Sequence, residues 1–383
     1  MFTPYYGELL TSPTPVEISG NFCSNHCSYC FANLNKPDRR IDVDAAFRFI
    51  DDLKNRTTWT AELVCMGYPV LISNKSDPFS ASNSRLFLPL MKLMADRGIP
   101  VSIQTKGGES AFAALSFMPR SHWYLSIAYS DDAVRKRIEP GAPSIELRFE
   151  LVKELLRMGH KVSVAVNPIV EEWEPHPERL IDSLASLGVK NFWIETLHLN
   201  NNQTRNMPQR DKDAIGVNVI KRVFRKSDVG RYAFFKRTIN HVRNVGLNAY
   251  CINYPYATDY FTEQEQVYKK VFPTMQGFLN FLIKHAGTAK ITFDDYCGYF
   301  LPKLPQTNRN LMDYIGASSP LAKRHIKQNR LHGWKPLLAA FWKLDKLRWH
   351  PYRNRAFDYV VDGNGEPIIE KGMPVFALSK AGL

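Results

Sequence analysis

No stretch of this 383-residue chain reaches 18 consecutive uncharged apolar residues, so no transmembrane helix is expected. The opening residues, MFTPYYGELLTSPTP, have neither the basic start nor the apolar run of a signal peptide, and the expected compartment is the cytoplasm. Cysteine is scarce: six in a long chain without a secretory signal give no disulfide framework. Internal repeats, heptad arrays and low-complexity tracts are missing, which leaves a globular chain. A composition of 44% hydrophobic and 23% charged residues agrees, and excludes collagen-like and disordered classes.

Acidic residues are also in short supply. Fifty Lys and Arg stand against 37 Asp and Glu, a formal charge of +13 that favours a polyanionic partner, nucleic acid ahead of a membrane surface. The cations gather in two windows, 201–243 with 11 and 321–355 with 10. Within the second, Trp334, Trp342, Trp349 and Tyr352 alternate with Lys and Arg, a pattern suited to an unpaired strand whose phosphates meet cations and whose bases stack on rings. The same residues also read as an amphipathic helix, with Leu337, Leu338, Phe341, Leu344 and Leu347 turned to a core.

Through the first two thirds, β-rich runs at 15–20, 69–73, 100–105, 123–130, 161–170 and 191–196 alternate with helical spacing over 43–55, 83–96, 109–115, 144–158 and 177–187. Six such units predict an α/β fold with a parallel sheet, closed or partly closed as a barrel or open and doubly wound. Gly98, Gly159 and Gly188 stand where helices should end. A basic helical segment is expected over 213–245, a short strand-like run at 247–254 and a helix over 262–285. ITFDDYCGYF (291–300) and DYVVDGNGEPII (358–369) read as strand material. The expected division is a barrel-like domain over 1–255 and a basic, aromatic C-terminal region over 256–383 that binds substrate or partner.

Three cysteines lie within eight residues, in NFCSNHCSYCF, directly after the first strand. Cys23, Cys27 and Cys30 can hold three corners of a cubane iron-sulfur cluster and leave one iron open to a small molecule. A zinc site would need a fourth ligand, for which His26 lies in the same loop, and free thiols are the third reading. Cys65, Cys251 and Cys297 read as small buried hydrophobes.

CxxxCxxC at the end of the first strand of a βα barrel resembles the radical S-adenosylmethionine (SAM) superfamily. The resemblance implies a partial (βα)6 barrel and a [4Fe-4S] cluster on Cys23, Cys27 and Cys30, with SAM chelating the fourth iron. It also implies reductive SAM cleavage, hydrogen abstraction from substrate, and an electron donor such as flavodoxin or ferredoxin. SNKSDPF (73–79), Thr105 to Gly107, SIAYSDD (126–132), RIEPGAPS (137–144) and NPIV (167–170) are similar to the branch containing spore photoproduct lyase, over roughly residues 16–170. That pattern places Ser76, Asp77, Lys106, Ser126 and Asn167 around SAM, at or just past the carboxyl ends of strands. Tyr29 keeps a ring beside the cluster. Glu139 and Arg137 read as an ion pair under the site or as substrate contacts.

The branch carries a cysteine directly before its Ser-Asp pair as hydrogen donor, and here that position is Lys75. Thymine-dimer repair through that relay is therefore not expected. A lysine ammonium cannot give up a hydrogen atom as a thiol does, but it can orient an anionic substrate group. The resulting expectation is a radical SAM enzyme, lyase- or oxidoreductase-like, acting on a nucleic acid base or sugar. A peptide or small metabolite is the alternative substrate, and a non-catalytic zinc protein that binds nucleic acid the alternative class.

Overall fold

A computed structural model of the chain describes residues 16–20, 22–30, 43–56, 59–73, 75–224, 229–251, 277–278, 280–282, 290–304, 334–343 and 357–378. The chain divides into two compact units, Met1–Arg56 with Leu63–Phe261, and Thr57–Glu62 with Thr262–Leu383.

The first unit is built on seven parallel strands in sequential order: β1 (Val16–Ile18), β2 (Val70–Ile72), β3 (Val101–Thr105), β4 (His122–Ser126), β5 (Lys161–Ile169), β6 (Asn191–Thr196) and β7 (Asn248–Tyr250). Between them in the chain run α1 (Val43–Asp51), α2 (Trp59–Cys65), α3 (Ser84–Asp96), α4 (Glu109–Leu115), α5 (Asp132–Ile138), α6 (Ile145–Arg157) and α7 (Pro177–Ser186). Four more, α8 (Asn201–Asn206), α9 (Gln209–Ile215), α10 (Val217–Val223) and α11 (Val229–Asn244), separate β6 from β7. Sequential parallel order with helical crossovers is the arrangement of a βα barrel. Among the described residues β1 and β7 do not pair, so this α/β sheet is a partial barrel, with Asn248–Tyr250 adding a seventh strand to the six expected.

The strands read as apolar runs because both faces are covered: every residue of β2 and β6 is buried, as are most of β3, β4 and β5. Gly98, Gly159 and Gly188 take φ of 67°, 77° and 105°, the left-handed ends expected of α3, α6 and α7. The basic segment expected as one helix over 213–245 is instead interrupted at Gly216, whose φ of 97° ends α9. Its cations are partly spent on ion pairs, Arg222 with Glu172 and Arg237 with Glu178, and just before it Arg210 pairs with Asp211.

A polar seam crosses the sheet at the amino-terminal end of β4. Buried His122 bridges two buried hydroxyls, with Nδ1 3.2 Å from Ser102 Oγ and Nε2 3.1 Å from Ser163 Oγ. Burial, with Lys161 assisting, pulls its pKa from 6.5 to about 4. The unfolded chain therefore binds a proton that the folded chain refuses between those values, so stability falls as pH drops through that window. The full loss is about 3 kcal/mol. Urea midpoints at pH 7 and 4.5 should lose this component in His122→Gln; a variant with the wild-type pH dependence would refute the assignment.

In the second unit, α12 (Phe293–Phe300) overturns the strand reading of 291–300. Thr292 accepts from Asp295 N–H while the Asp295 carboxylate accepts from Thr292 N–H, a reciprocal cap that starts a helix. Phe293, Tyr296, Cys297 and Phe300 then bury one helical face. Two short antiparallel pairs complete the unit, β8 (Phe357–Tyr359) with β11 (Phe376–Leu378), and β9 (Ile369–Glu370) with β10 (Met373–Pro374). Helix α13 (Trp334–Lys343) buries Leu338 and Trp342, and Trp342 Nε1 donates to Pro374 O at 2.7 Å. Trp342 is thus a core residue and not a base-stacking ring. Trp349 and Tyr352, most of the helix expected over 262–285 and most of the cations of 321–355 lie outside the described residues.

Candidate active site

The carboxyl ends of the strands surround a cavity of about 690 Å³ in the first unit. Cys23, Cys27, Tyr29, Cys30, Lys75, Ser76, Asp77, Lys106, Ser126 and Asn167, the residues singled out in the sequence, all line it. They come from the loop after β1, the loop after β2 and the ends of β3, β4 and β5. A register shift in β5 between Val166 and Ile169 turns the strand at Asn167.

The cysteine loop is held from several sides. Ser28 N–H donates to Ile138 O at 2.9 Å and Gly141 N–H to Asn25 O at 3.1 Å, so the EPGAPS turn grips the loop backbone. Only glycine fits at 141, since a Cβ there would lie 2.1 Å from Ser24 O. Asn25 Nδ2 donates to Asp77, and Ser24 and Ser82 exchange hydrogen bonds between backbone N–H and hydroxyl. Asp77 is buried and takes four donors: Thr105 Oγ1, Phe79 N, Lys106 N and Asn25 Nδ2. Its carboxylate therefore ties the cysteine loop to the ends of β2 and β3.

Beneath the loop lies a buried charge hub on Glu139. Glu139 accepts from Tyr29 Oη, from Lys106 Nζ at 2.6 Å and from Arg148 Nη2 at 2.7 Å. Burial alone would raise the Glu139 carboxyl, but Lys106 and Arg148 hold it well below the carboxylate range. Burial opposes the charge on Lys106, and Glu139 more than restores it. Nζ of Lys106 also reaches Ser126 Oγ at 2.9 Å and Tyr29 Oη at 3.1 Å, so all three ammonium hydrogens have protein acceptors. The sequence-adjacent Arg137 is not the partner of Glu139: it donates to Ala214 O, and Arg148 of α6 takes its place.

Does this arrangement fit an iron-sulfur cluster with SAM? The three thiols are free and face one cavity. Among the described residues no three His, Cys, Asp or Glu side chains converge on a point as a single metal ion requires. Thiolates on separate corners of a cubane need no such convergence. Ser76 Oγ is buried on the cavity wall without a hydrogen-bond partner, a polar atom left for a ligand. Burial pushes the Cys27 thiol well up, opposed by Lys106, and burial raises Cys23, so ligation there releases protons. The donor set fits.

Sequence reasoning missed the far wall, where Trp193, Glu195, His198, Asn200 and Gln203 come from β6 and the segment after it. Buried Glu195 accepts from His198 Nε2 at 3.1 Å. The signal was available, since these residues follow the carboxyl end of a strand. Cys65, Cys251 and Cys297 are absent from the described lining, and burial raises the Cys297 thiol to about 11, as for an inert core cysteine.

Residues 18–199 match the model of the Radical SAM superfamily. Two uncharacterised proteins, one of Mycobacterium bovis and one of Mycobacterium tuberculosis, are each 24% identical over 199 residues, 46% of this chain and 56% of theirs. The match thus spans about half the length of these curated relatives. Among solved structures, Streptococcus suis SuiB bound to S-adenosylmethionine gives a TM-score of 0.44 at 14% identity, over 66% of this chain and 55% of that one. Spore photoproduct lyase complexed with dinucleoside spore photoproduct gives 0.44 at 16%, over 60% and 73%.

Proposed function

Because residues 18–199 match the model of the Radical SAM superfamily, we propose that this chain is a member of it, binds a [4Fe-4S] cluster and SAM in the cavity and abstracts a hydrogen atom from a substrate there. The observation that carries the reading is the convergence of three free cysteines and the unpartnered Ser76 hydroxyl on one cavity at the strand ends. Cys23, Cys27 and Cys30 would ligate the cluster. The chemistry that such a cluster supplies with SAM is reductive cleavage of the sulfonium and hydrogen-atom abstraction, fed by a donor such as flavodoxin or ferredoxin.

The protein's own residues bind, orient and exclude water. Ser76 and Asn167 offer polar groups to SAM. Lys106 contributes a fixed positive charge and holds the Ser126 hydroxyl in place. Asp77, with its oxygens already taken, positions the loop rather than the ligand. Tyr29 packs against Trp173 at 5.9 Å between ring centroids and shields the cysteine loop. Lys75 replaces the hydrogen-donating thiol as a substrate-orienting charge, and no fourth cysteine lines the cavity among the described residues.

The charge of +13 supports a nucleic acid base or sugar as substrate, with the second unit as the binding region for substrate or partner. The test is anaerobic reconstitution followed by iron and sulfide analysis and assay with deuterated DNA, RNA and peptide. Deuterium appearing in 5′-deoxyadenosine from a nucleic acid is the expected result. Transfer only from peptide or small metabolites would replace the substrate class. Zinc in place of iron and sulfide would overturn the catalytic reading.

A further inference from the structure

The far wall of the cavity carries hydrogen-bond donors whose orientation is chemically determined. At the start of α8 the Asn200 side chain accepts from Gln203 N–H at 2.8 Å, and the Gln203 side chain accepts from Asn200 N–H at 2.8 Å. Both acceptors must be amide oxygens, because a backbone N–H cannot donate to an NH2 group. The reciprocal cap therefore forbids either amide from flipping, and two NH2 groups are left over. Both residues line the cavity, and Gln203 is only 4% exposed. Neither NH2 group has a hydrogen-bond partner among the described residues.

Lys75 lines the same cavity, exposed and without an acidic partner among the described residues. The carboxylates of the lining are already committed, Asp77 to four donors and Glu195 to His198 and Thr196 N–H. Beside Ser76 and Asn167, already assigned to SAM, the groups left for a ligand include two amide donors and one ammonium, a set matched by a ligand group that only accepts. We infer that Asn200, Gln203 and Lys75 bind one anionic group of the substrate, a phosphate or a carboxylate. This assignment rests on the proposed reading of the cavity as a substrate chamber and names the chemistry recognised in it.

The test is calorimetric titration of the full reconstituted chain with inorganic phosphate and, separately, N-acetylglycine, at constant ionic strength. One anion should bind saturably, and which of the two does so identifies the source. Asn200→Asp and Gln203→Glu keep the oxygen each cap needs and exchange the free NH2 for an anionic oxygen, so folding should be retained. Each should weaken binding at least tenfold, as should Lys75→Met. Absence of saturable binding by either anion, or wild-type affinity in the three variants, overturns the assignment. SAM cleavage measured on the same preparations separates the two proposals. Cleavage without anion binding refutes the anion site alone, whereas anion binding without cleavage refutes the radical reading alone.

Discussion

Replacing Cys23, Cys27 or Cys30 singly by Ala is expected to abolish 5′-deoxyadenosine formation from SAM, a loss of at least about a thousandfold, while Cys65→Ala retains it. The three thiols face the cavity and Cys65 does not. The loop that carries them is held by backbone bonds from Ser28 to Ile138 and from Gly141 to Asn25, none of which involves sulfur. At Cys27 and Cys30, removing the thiol therefore removes a cluster corner without releasing the loop, and the melting temperature of the metal-free protein should stay near wild type; the buried Cys23 sulfur also takes hydrogen bonds from Asn25, Asp77 and Ser80, so Cys23→Ala should lower it. The readouts are iron content, visible absorbance and product formation in anaerobically reconstituted protein. Retained 5′-deoxyadenosine formation in any of the three variants would sink the cluster assignment.

The parts of the fold that were legible are those where one physical constraint dominates. Strands covered on both faces are mostly apolar, so β2 stands out as VLI and β6 by the FWI at its centre. Barrel chemistry gathers at carboxyl strand ends, which is why residues scattered from Cys23 to Asn167 line one cavity. Where two signals competed, the louder one misled. FDDYCGYF is rich in aromatics and reads as strand, yet Thr292 and Asp295 form the cap that makes it a helix. Glu139 and Arg137 are close in sequence, but residues two apart at a helix end point in different directions, and the partner is Arg148 on another helix. The wall from Glu195 to Gln203 escaped notice because its residue types form no motif; only their position after a strand end marks them.

Glu139→Gln is the second substitution with a large expected effect. The variant keeps shape and one acceptor oxygen but removes the charge that compensates Lys106 and Arg148, whose side chains are 13% and 0% exposed. Leaving buried cations without their counter-ion costs about 3 to 5 kcal/mol, and solvent reaching Lys106 sets the lower figure as the better guide. The urea midpoint should fall accordingly. SAM cleavage should fall further than stability alone explains, because Glu139 also receives the Tyr29 hydroxyl beside Cys30 and anchors the lysine that holds Ser126. Lys106→Met separates the two effects. It removes one cation but leaves Glu139 paired with Arg148, so its stability loss should be the smaller, while its loss of SAM cleavage should match that of Glu139→Gln. Were Glu139→Gln as stable and as active as wild type, the hub would be packing alone, and the EPGAPS turn would serve the cysteine loop through Gly141 and not through charge.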